Sequence, residues 1–381
     1  MVVRSITRRE GDLFQMQIQA AVVNNKGEDF QIDTLELDPP KTGEVLVQMV
    51  ASGICHTDIN VKNQTHRVPA PAVLGHEGSG IVENVGHGVT DLVPGDHVVL
   101  GFASCGVCRN CLSAKSYACA RHAELNFGGM MDDRTHRLHR GEQPLSNFFG
   151  QSSFATHSVT NARNAVKVPK DVDLALLGPL GCGLMTGAGT VFNRLMPPPG
   201  SSIAVVGAGA VGLSAIMAAS IIGCGTIITI DVHQSRLDLA LQLGATHAIN
   251  ASDTPDIVDA IRSITDGGAD FCVEAAGHPL LLRQMVDALA PMGTAIQLGG
   301  LPQGTEAHID SNDLRSKSKT IAGLVEGGSV PKVLIPKLID FYRMGKFSFD
   351  KLVTFYPFDD INKAVDDAHR GVVIKPILRF G

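Results

Sequence analysis

The segment Ile203-Ala204-Val205-Val206-Gly207-Ala208-Gly209-Ala210-Val211-Gly212 decides the fold of this chain, because an apolar run leads directly into a glycine-rich turn. The turn matches the pattern G-x-G-x-x-G, after a predicted strand and before a predicted helix. In this pattern Gly207 permits a tight turn, Gly209 lets the backbone approach a pyrophosphate, and Gly212 lets the helix pack on the strand. The free N–H groups and the dipole of the helix N-terminus favour such an anion. The segment therefore predicts a dinucleotide site.

Apolar strands and helical patterns alternate on both sides of this turn. The predicted strands are Ile203–Val206, Thr226–Ile230, Ala248–Asn250, Asp270–Val273 and Thr294–Leu298. The predicted helices lie at about Val211–Ile222, Ser235–Leu243, Ile257–Ile264 and Leu280–Leu289. Such alternation is typical of βαβ units, which build a doubly wound parallel sheet. The Pro197–Gly200 run is the expected linker before the first strand.

The end of the second predicted strand indicates which dinucleotide is bound. Asp231 lies about 20 residues after the glycine pattern, where a carboxylate can bond the hydroxyls of the adenosine ribose. The same carboxylate repels a 2′-phosphate, so NAD is favoured over NADP. Arg236 lies close enough in the sequence to accept that phosphate and is the residue that would reverse the preference.

The rest of the chain is predicted to form a second, mostly β domain. Residues 17–169 are rich in Val, Gly and Pro, with short strand-like runs such as Glu44–Val50, Gly80–Val85 and His97–Leu100. After Glu326 the βαβ pattern stops, and a helix near Val330–Met344 and a strand near Ile374–Phe380 follow. We expect that strand to return to the first domain, because the parallel sheet already looks full. The expected division is 1–184 with 327–381 for the β domain and 185–326 for the dinucleotide domain.

Two short segments carry most of the side chains of a catalytic zinc site. Gly53-Ile54-Cys55-His56-Thr57-Asp58 and Gly75-His76-Glu77-Gly78 supply a thiolate, an imidazole, a hydroxyl and carboxylates. Catalytic zinc needs three protein ligands and keeps one position open. Cys55 and His76 are the expected first two ligands, and Cys182 in Gly181-Cys182-Gly183 is the best third. Taken alone, Cys55 or His76 would more often be an ordinary core residue than a metal ligand.

Four cysteines are spaced Cys105-x2-Cys108-x2-Cys111-x7-Cys119. Four thiolates close a tetrahedron around zinc with no open position, so this lobe, at about residues 101–123, is expected to hold a structural zinc ion. An iron–sulfur cluster also uses four cysteines and stays as the rival. Nothing else in the sequence indicates electron transfer.

Composition excludes several classes of function. The 381 residues carry a net charge of −6 with a pI near 6.1, which argues against nucleic acid or an anionic membrane as partner. The eight cysteines suit metal binding in a reducing compartment better than a disulfide framework. No apolar run is long enough for a membrane span, and the arginine-bearing N-terminus lacks the apolar run of a secretory signal. We therefore expect a cytoplasmic protein with a small-molecule substrate.

These motifs together resemble the zinc-containing medium-chain alcohol dehydrogenase family along nearly the whole chain. Within it, Gly150-Gln151-Ser152-Ser153-Phe154-Ala155-Thr156 and Leu177-Gly178-Pro179-Leu180-Gly181-Cys182-Gly183 resemble the aryl-alcohol (benzyl alcohol) and geraniol dehydrogenase branch. The resemblance implies an α/β protein with a mostly β GroES-like catalytic domain and a Rossmann domain. It also implies a homo-oligomer, either a dimer or a tetramer.

The resemblance implies roles for individual residues of the zinc site. Cys55, His76 and Cys182 would bind the catalytic zinc, with Asp58 and Glu77 around them. Thr57 would hydrogen-bond the substrate oxygen and begin a proton relay. Further residues would contact cofactor or substrate: His56 and Lys375 the pyrophosphate, Thr186 and Val211 the nicotinamide, and Phe148 and Phe149 the substrate.

The expected reaction is the reversible oxidation of a primary aromatic or allylic alcohol to its aldehyde, with NAD as hydride acceptor and zinc as Lewis acid. Asn60 departs from the family pattern, because many members have a histidine there that passes the proton to solvent. The relay must then end at water, at the ribose or at another base. The alternatives are a zinc dehydrogenase for aliphatic or glutathione-linked alcohols and a nucleotide-binding protein without turnover.

Overall fold

The computed structural model describes residues 15–64 and 68–381. Three β-sheets carry the fold of this part of the chain, two of them formed mainly by its first half and the third by residues 202–323. Among the described residues, no helix is long and apolar enough to cross a membrane.

In the first half of the chain, residues 15–64 and those from 68 onward form ten strands. They are β1 Met16–Val23, β2 Gln31–Leu37, β3 Glu44–Gly53, β4 Ala72–Val73, β5 Glu77–Val85, β6 His97–Leu100, β7 Leu138–Arg140, β8 Gln143–Leu145, β9 His157–Asn161 and β10 Ala165–Lys167. Strands β4, β1, β2, β7 and β8 form a five-stranded sheet, and β10, β6, β5 and β3 belong to a second sheet in which β9 also pairs with β3. Three short helices accompany them: α1 His56–Lys62, α2 Arg109–Leu112 and α3 His122–Phe127.

Strand β3 is the centre of the second sheet, and its sequence explains why. Val45, Val47 and Met49 alternate along the strand and pack in one apolar cluster with residues of β5 and β6. Leu46, on the opposite face, packs in the main core. A strand that is apolar on both faces must be covered on both sides, which places its end at Gly53 inside the protein.

Residues 183–323 form the connection to the third sheet and the sheet itself. The six strands are β11 Ser202–Val206, β12 Thr226–Asp231, β13 His247–Asn250, β14 Ala269–Glu274, β15 Leu289–Gln297 and β16 Thr320–Gly323. All are parallel, in the order β13-β12-β11-β14-β15-β16. The helices are α4 Gly183–Gly189, α5 Ala210–Ile222, α6 Gln234–Gln242, α7 Ile257–Ile264, α8 Pro279–Asp287 and α9 Ser311–Ser316, with a π-helical segment at Thr190–Leu195. The parallel Rossmann-type sheet predicted from the glycine turn is confirmed.

Two details of this sheet differ from the sequence prediction. The sheet is not full at five strands, because Thr320–Gly323 adds a sixth beside β15. Helix α8 ends at Asp287 rather than Leu289, because Leu289 already pairs with Ala269 in the sheet. The segment Thr320–Gly323 is too short to show a period, and at the end of α8 the apolar residues continue from the helix into the strand. Periodicity alone does not separate helix from strand in either place.

The end of the chain returns to the second sheet. It contains α10 Pro331–Arg343, β17 Val353–Pro357, α11 Ile361–His369 and β18 Lys375–Arg379. Strand β18 pairs antiparallel with β3, with Ile377 opposite Gly53, and parallel with β17. The C-terminal strand thus lies in the sheet where the sequence analysis expects it. This return brings Lys375 beside the segments that contain Cys55 and His76.

Candidate active site

Three of the predicted zinc ligands converge although they are far apart in the sequence. Cys55 follows β3 and precedes α1, His76 directly precedes β5, and Cys182 directly precedes α4. One possible ligand atom from each residue lies within 4.8 Å of the other two. We call these residues the three-residue cluster. Its donor set, two sulfurs and one imidazole nitrogen, is the set that zinc uses in open catalytic sites.

Asp58 holds two members of the cluster in place. Its carboxylate is buried and accepts hydrogen bonds from the backbone N–H of Cys55 at 2.9 Å and of Gly75 at 3.0 Å. It also accepts one from Nδ1 of His76 at 3.0 Å. A carboxylate on Nδ1 fixes the tautomer in which Nε2 carries a lone pair for a metal.

Nε2 of His76 is the observation that tests whether a metal fits here. This atom is buried and has no hydrogen-bond partner in the described part of the chain. A buried polar atom without a partner is unfavourable, so a ligand that accepts its lone pair is expected. Zinc fits, because the cluster also supplies the sulfurs of Cys55 and Cys182.

The electrostatics of the cluster favour a bound cation. A hydrogen bond from Cys182 holds the pKa of the Cys55 thiol well below its ordinary value, and His76 acts in the same direction. Burial alone lowers the pKa of His76, but the charge of Asp58 and its hydrogen bond raise that pKa well above the ordinary value. The negative charges of Cys55 and Asp58 therefore favour a cation at Nε2 of His76, either a proton or a metal ion that replaces it.

Glu77 and Lys375 form a buried ion pair behind the cluster. The ammonium of Lys375 donates to both carboxylate oxygens of Glu77, at 2.9 and 2.8 Å, and to the carbonyl oxygen of Ile54 at 3.1 Å. The backbone N–H of Gly183 points at the same carboxylate at 3.4 Å. The pair therefore joins β5, β18 and the start of α4. Lys375, expected at the cofactor pyrophosphate, has its ammonium on Glu77 in this structure.

The four cysteines of the predicted structural site also converge. Cys105, Cys108, Cys111 and Cys119 offer sulfur atoms within 4.8 Å of one another. Backbone N–H groups point at these sulfurs, including that of Ala120 at Cys108 at 3.5 Å. Such N–H contacts lower the pKa of the Cys108 thiol to about 6. The arrangement suits a metal held by four thiolates.

The glycine turn has the geometry of a phosphate-binding loop. Gly207 has a φ of +95°, and a Cβ atom added to Gly212 would lie 1.8 Å from the carbonyl oxygen of Gly207. Only glycine fits at position 212, because the helix packs directly on the turn. Asp231, at the end of β12, accepts hydrogen bonds from the N–H groups of Ala208 at 2.7 Å and His233 at 2.9 Å.

Arg236 and the two nicotinamide candidates lie around this turn. Nε of Arg236 is buried without a hydrogen-bond partner in the residues described, and its guanidinium lies beside Gly371. Thr186 is on α4 and Val211 is at the start of α5, both half-buried. His56, at the start of α1, is exposed. Val211 packs on the helix that carries Thr186, because a Cβ atom added to Gly187 of α4 would lie 1.9 Å from the carbonyl oxygen of Val211.

Aromatic side chains form one wall of the cluster. The ring of Phe149 stacks on the imidazole of His76, with centroids 4.5 Å apart, and Phe148 meets the same imidazole edge-on at 5.3 Å. Phe127, which the sequence analysis did not single out, packs against both phenylalanines. Thr57 is half-buried, with its hydroxyl oxygen 3.8 Å from the sulfur of Cys55. A hydroxyl and an apolar wall therefore border the cluster.

The sequence analysis also missed Glu326, a buried carboxyl group near the cluster. It follows β16. A hydrogen bond with Cys55, burial and the charge of Cys55 raise the pKa of Cys182, and the charge of Glu326 adds to this rise. The available signal was a glutamate before two glycines at the end of an apolar segment. That signal is typical of a surface loop.

Comparison with known proteins gives the family. Residues 41–170 match the alcohol dehydrogenase GroES-like domain, and residues 210–342 match the zinc-binding dehydrogenase domain. The chain is 44% identical over 366 residues to geraniol dehydrogenase of Castellaniella defragrans, covering 95% of this chain and 97% of that protein. The chain belongs to the zinc-binding alcohol dehydrogenase family. It is therefore an oxidoreductase of alcohols that uses zinc and a nicotinamide cofactor, and the alternative without turnover is set aside.

Solved structures of zinc-binding alcohol dehydrogenases agree with the fold. An alcohol dehydrogenase zinc-binding domain protein of Burkholderia ambifaria is 49% identical, with a TM-score of 0.94 over 96% of this chain and 100% of that one. Benzyl alcohol dehydrogenase of Acinetobacter calcoaceticus is 48% identical, with a TM-score of 0.93 over 96% of this chain and 99% of that one. The expected combination of a GroES-like and a Rossmann-type domain is thus confirmed.

Substitution of one cysteine in the three-residue cluster and of one among the four lobe cysteines should distinguish the roles of the two metal sites. Cys108→Ser should remove one zinc ion per chain and lower the free energy of unfolding by about 4 kcal/mol or more, because a closed site loses a ligand. Cys182→Ser should remove the other zinc ion and abolish alcohol oxidation while the melting temperature changes little. Elemental analysis and thermal denaturation measure both effects.

Cys224→Ser is the matched control, because Cys224 is buried but belongs to neither set. This variant should keep both zinc ions and its activity. Two zinc ions retained in Cys108→Ser, or iron with visible charge-transfer bands in the unmodified protein, would contradict the assignment of the four cysteines.

Proposed function

We propose that this enzyme interconverts primary aromatic or allylic alcohols and their aldehydes, with NAD as the hydride acceptor. The observation that carries the proposal is the unpartnered Nε2 of His76, which lies beside two cysteine sulfurs and under a wall of phenylalanine rings. A metal-binding centre and an apolar wall then lie side by side. That combination suits a substrate with one hydroxyl group and an apolar body.

Two zinc ions per chain are part of the proposal. Cys55, His76 and Cys182 would hold the catalytic ion, and Cys105, Cys108, Cys111 and Cys119 would hold the structural one. The catalytic ion, when bound, supplies Lewis-acid chemistry that makes an alcohol hydroxyl more acidic.

The side chains around the cluster have separate tasks in this reaction. Asp58 keeps His76 in the tautomer that presents Nε2, through the 3.0 Å contact to Nδ1. The hydroxyl of Thr57, close to Cys55, accepts a hydrogen bond from the substrate hydroxyl and passes its proton on. Asn60 does not titrate near neutral pH, so it ends no relay. Phe148 and Phe149 exclude water from the cleft, because both side chains are buried against His76.

The cofactor side of the proposal rests on the glycine turn and Asp231. The N-terminus of α5 binds the pyrophosphate through its free N–H groups. Each carboxylate oxygen of Asp231 accepts a hydrogen bond from one backbone N–H group, and these two bonds fix the side chain at the end of β12. A fixed, buried carboxylate there can bond the ribose hydroxyls and repels a 2′-phosphate. NAD is therefore the proposed cofactor, with Thr186 and Val211 beside its nicotinamide ring.

The proposed substrate class rests on the aromatic rings beside the cluster and on the relatives. Three phenylalanine rings, Phe127, Phe148 and Phe149, pack next to His76. A planar unsaturated substrate gains ring contacts there that a short aliphatic alcohol does not make. Two of the similar proteins are a geraniol and a benzyl alcohol dehydrogenase. A glutathione-linked alcohol is the weaker candidate, because the rings of Phe148 and Phe149 suit an apolar planar substrate better than a charged thiol adduct.

The remaining expectations are also part of the proposal. The domain division is 1–184 with 327–381 and 185–326, which agrees with the pairing of β18 with β3. The chain acts in the cytoplasm as a homo-oligomer, either a dimer or a tetramer. The eight unpaired cysteines agree with a reducing compartment.

Benzyl alcohol should exceed ethanol in kcat/KM by at least about 100-fold, because burying a ring stabilises the complex by several times more than burying two carbons. Phe149→Leu should reduce this preference. Phe341→Leu is the control, because Phe341 pairs with Phe192 and not with His76. Steady-state rates with a panel of benzylic, allylic and aliphatic alcohols measure the effect. Equal efficiency with ethanol and benzyl alcohol would refute the aromatic or allylic substrate class.

The enzyme should prefer NAD to NADP, and Asp231→Ser should narrow the difference in kcat/KM by about tenfold or more, because a repulsive charge is lost. Asp238→Ser removes an exposed carboxylate from the neighbouring helix α6 and should leave the preference unchanged. Comparable efficiency with NAD and NADP in the unmodified enzyme would contradict the role of Asp231. Arg236 would then be the residue to substitute next.

A further inference from the structure

A buried carboxyl group that the proposed reaction does not use lies near the three-residue cluster. Glu326 is 8% exposed, and its Oε2 atom is buried with no hydrogen-bond partner among the residues described. Burial raises the pKa of Glu326 to about 7. The charge of His76 opposes this rise, and the charges of Cys55 and Glu77 add to it. The side chain is therefore within electrostatic reach of the cluster and lacks a partner of its own.

The backbone around Glu326 fixes the position of this side chain. Glu326, Gly327 and Gly328 have φ angles of +51°, +60° and +61°, and a left-handed conformation is unfavourable for a glutamate. A Cβ atom added to Gly327 would lie 2.7 Å from the carbonyl oxygen of Thr186, so the turn is pressed onto α4. Asn193 also donates a hydrogen bond to the carbonyl oxygen of Gly327 at 3.3 Å. A strained turn held this firmly is a common sign of a functional site.

A carboxylate buried without a partner requires a cation or a hydrogen-bond donor when a ligand is bound. Lys375 is not this cation, because its ammonium already forms an ion pair with the carboxylate of Glu77 at 2.8 Å. Glu326 is not a direct ligand of the catalytic metal, because the set of close ligand atoms found in the described residues includes Cys55, His76 and Cys182 but not Glu326. The Oε2 atom of Glu326 therefore stays open to a contact with cofactor or substrate.

The oxidised nicotinamide ring is the cation that the proposed reaction brings to this place. Helix α4 begins after Cys182 and packs on the start of α5, so it lies between the cluster and the glycine turn. A nicotinamide that receives hydride from a substrate at the cluster must lie along α4. The turn at Glu326 packs on the same helix, next to Thr186.

We propose that Glu326 is a cofactor-binding residue whose carboxylate faces the nicotinamide ring and stabilises NAD⁺ relative to NADH. This inference rests on the proposed function. In the reaction the carbinol C–H bond breaks, hydride forms a C–H bond at C4 of the ring, and the hydroxyl proton leaves. The ring changes from cationic to neutral, so the carboxylate attracts only the oxidised cofactor.

The test compares the binding of the two redox states to the zinc-loaded enzyme. In Glu326→Gln, which keeps the shape and removes the charge, the ratio of the Kd for NAD⁺ to the Kd for NADH should rise about tenfold or more. The zinc content should not change, and the melting temperature should stay the same or rise, because an unpaired buried carboxyl group is removed. Glu83→Gln neutralises a partly buried carboxyl group at the far end of β5 and should leave the ratio unchanged.

Several outcomes would overturn the inference. A change of less than about threefold in the ratio, or equal weakening of NAD⁺ and NADH binding with a lower melting temperature, would make Glu326 a structural residue. If Glu326→Gln does not fold, Glu326→Ala takes its place, and a ratio of the two Kd values that is unchanged in this variant contradicts the proposal. An unmodified enzyme that binds neither nucleotide would instead refute the proposed function.

Discussion

The geometry of the active site depends on one buried carboxylate, that of Asp58. It accepts hydrogen bonds from two backbone N–H groups and one imidazole nitrogen, and these belong to two separate segments of the chain. These bonds hold the residue that follows β3 and the segment that precedes β5 close to each other. The same contact determines which nitrogen of His76 faces the cleft. One side chain thus sets both the shape and the chemistry of the cluster.

The ion pair between Glu77 and Lys375 connects this cluster to the rest of the molecule. It joins two residues 298 positions apart and also contacts the backbone near Cys55 and Cys182. Removing one partner of such a buried pair is strongly destabilising, because the other is left as an uncompensated charge. The pair therefore helps to hold the C-terminal strand β18 in the second sheet, beside β3. It also leaves Glu326 as a carboxyl group without a cation of its own.

Much of the fold could be predicted because its signals are local. The glycine turn between a strand and a helix, and the four closely spaced cysteines, are patterns that depend on neighbouring residues. Strand β16 was missed because it is a short edge strand with exposed and half-buried positions, so it lacks a continuous apolar run. The partner of Lys375 and the burial of Glu326 depend on contacts across the whole chain. No local pattern contains that information.

Anomalous diffraction at the zinc edge, from crystals of the zinc-loaded protein, tests the central claim most directly. Our account predicts one zinc ion bonded to Nε2 of His76 and to the sulfurs of Cys55 and Cys182, at about 2.0–2.3 Å, with Nδ1 still on Asp58. It predicts a second ion among the four cysteines of the lobe. A zinc ion bonded to Nδ1 of His76, or no anomalous peak between Cys55 and Cys182, would contradict the account.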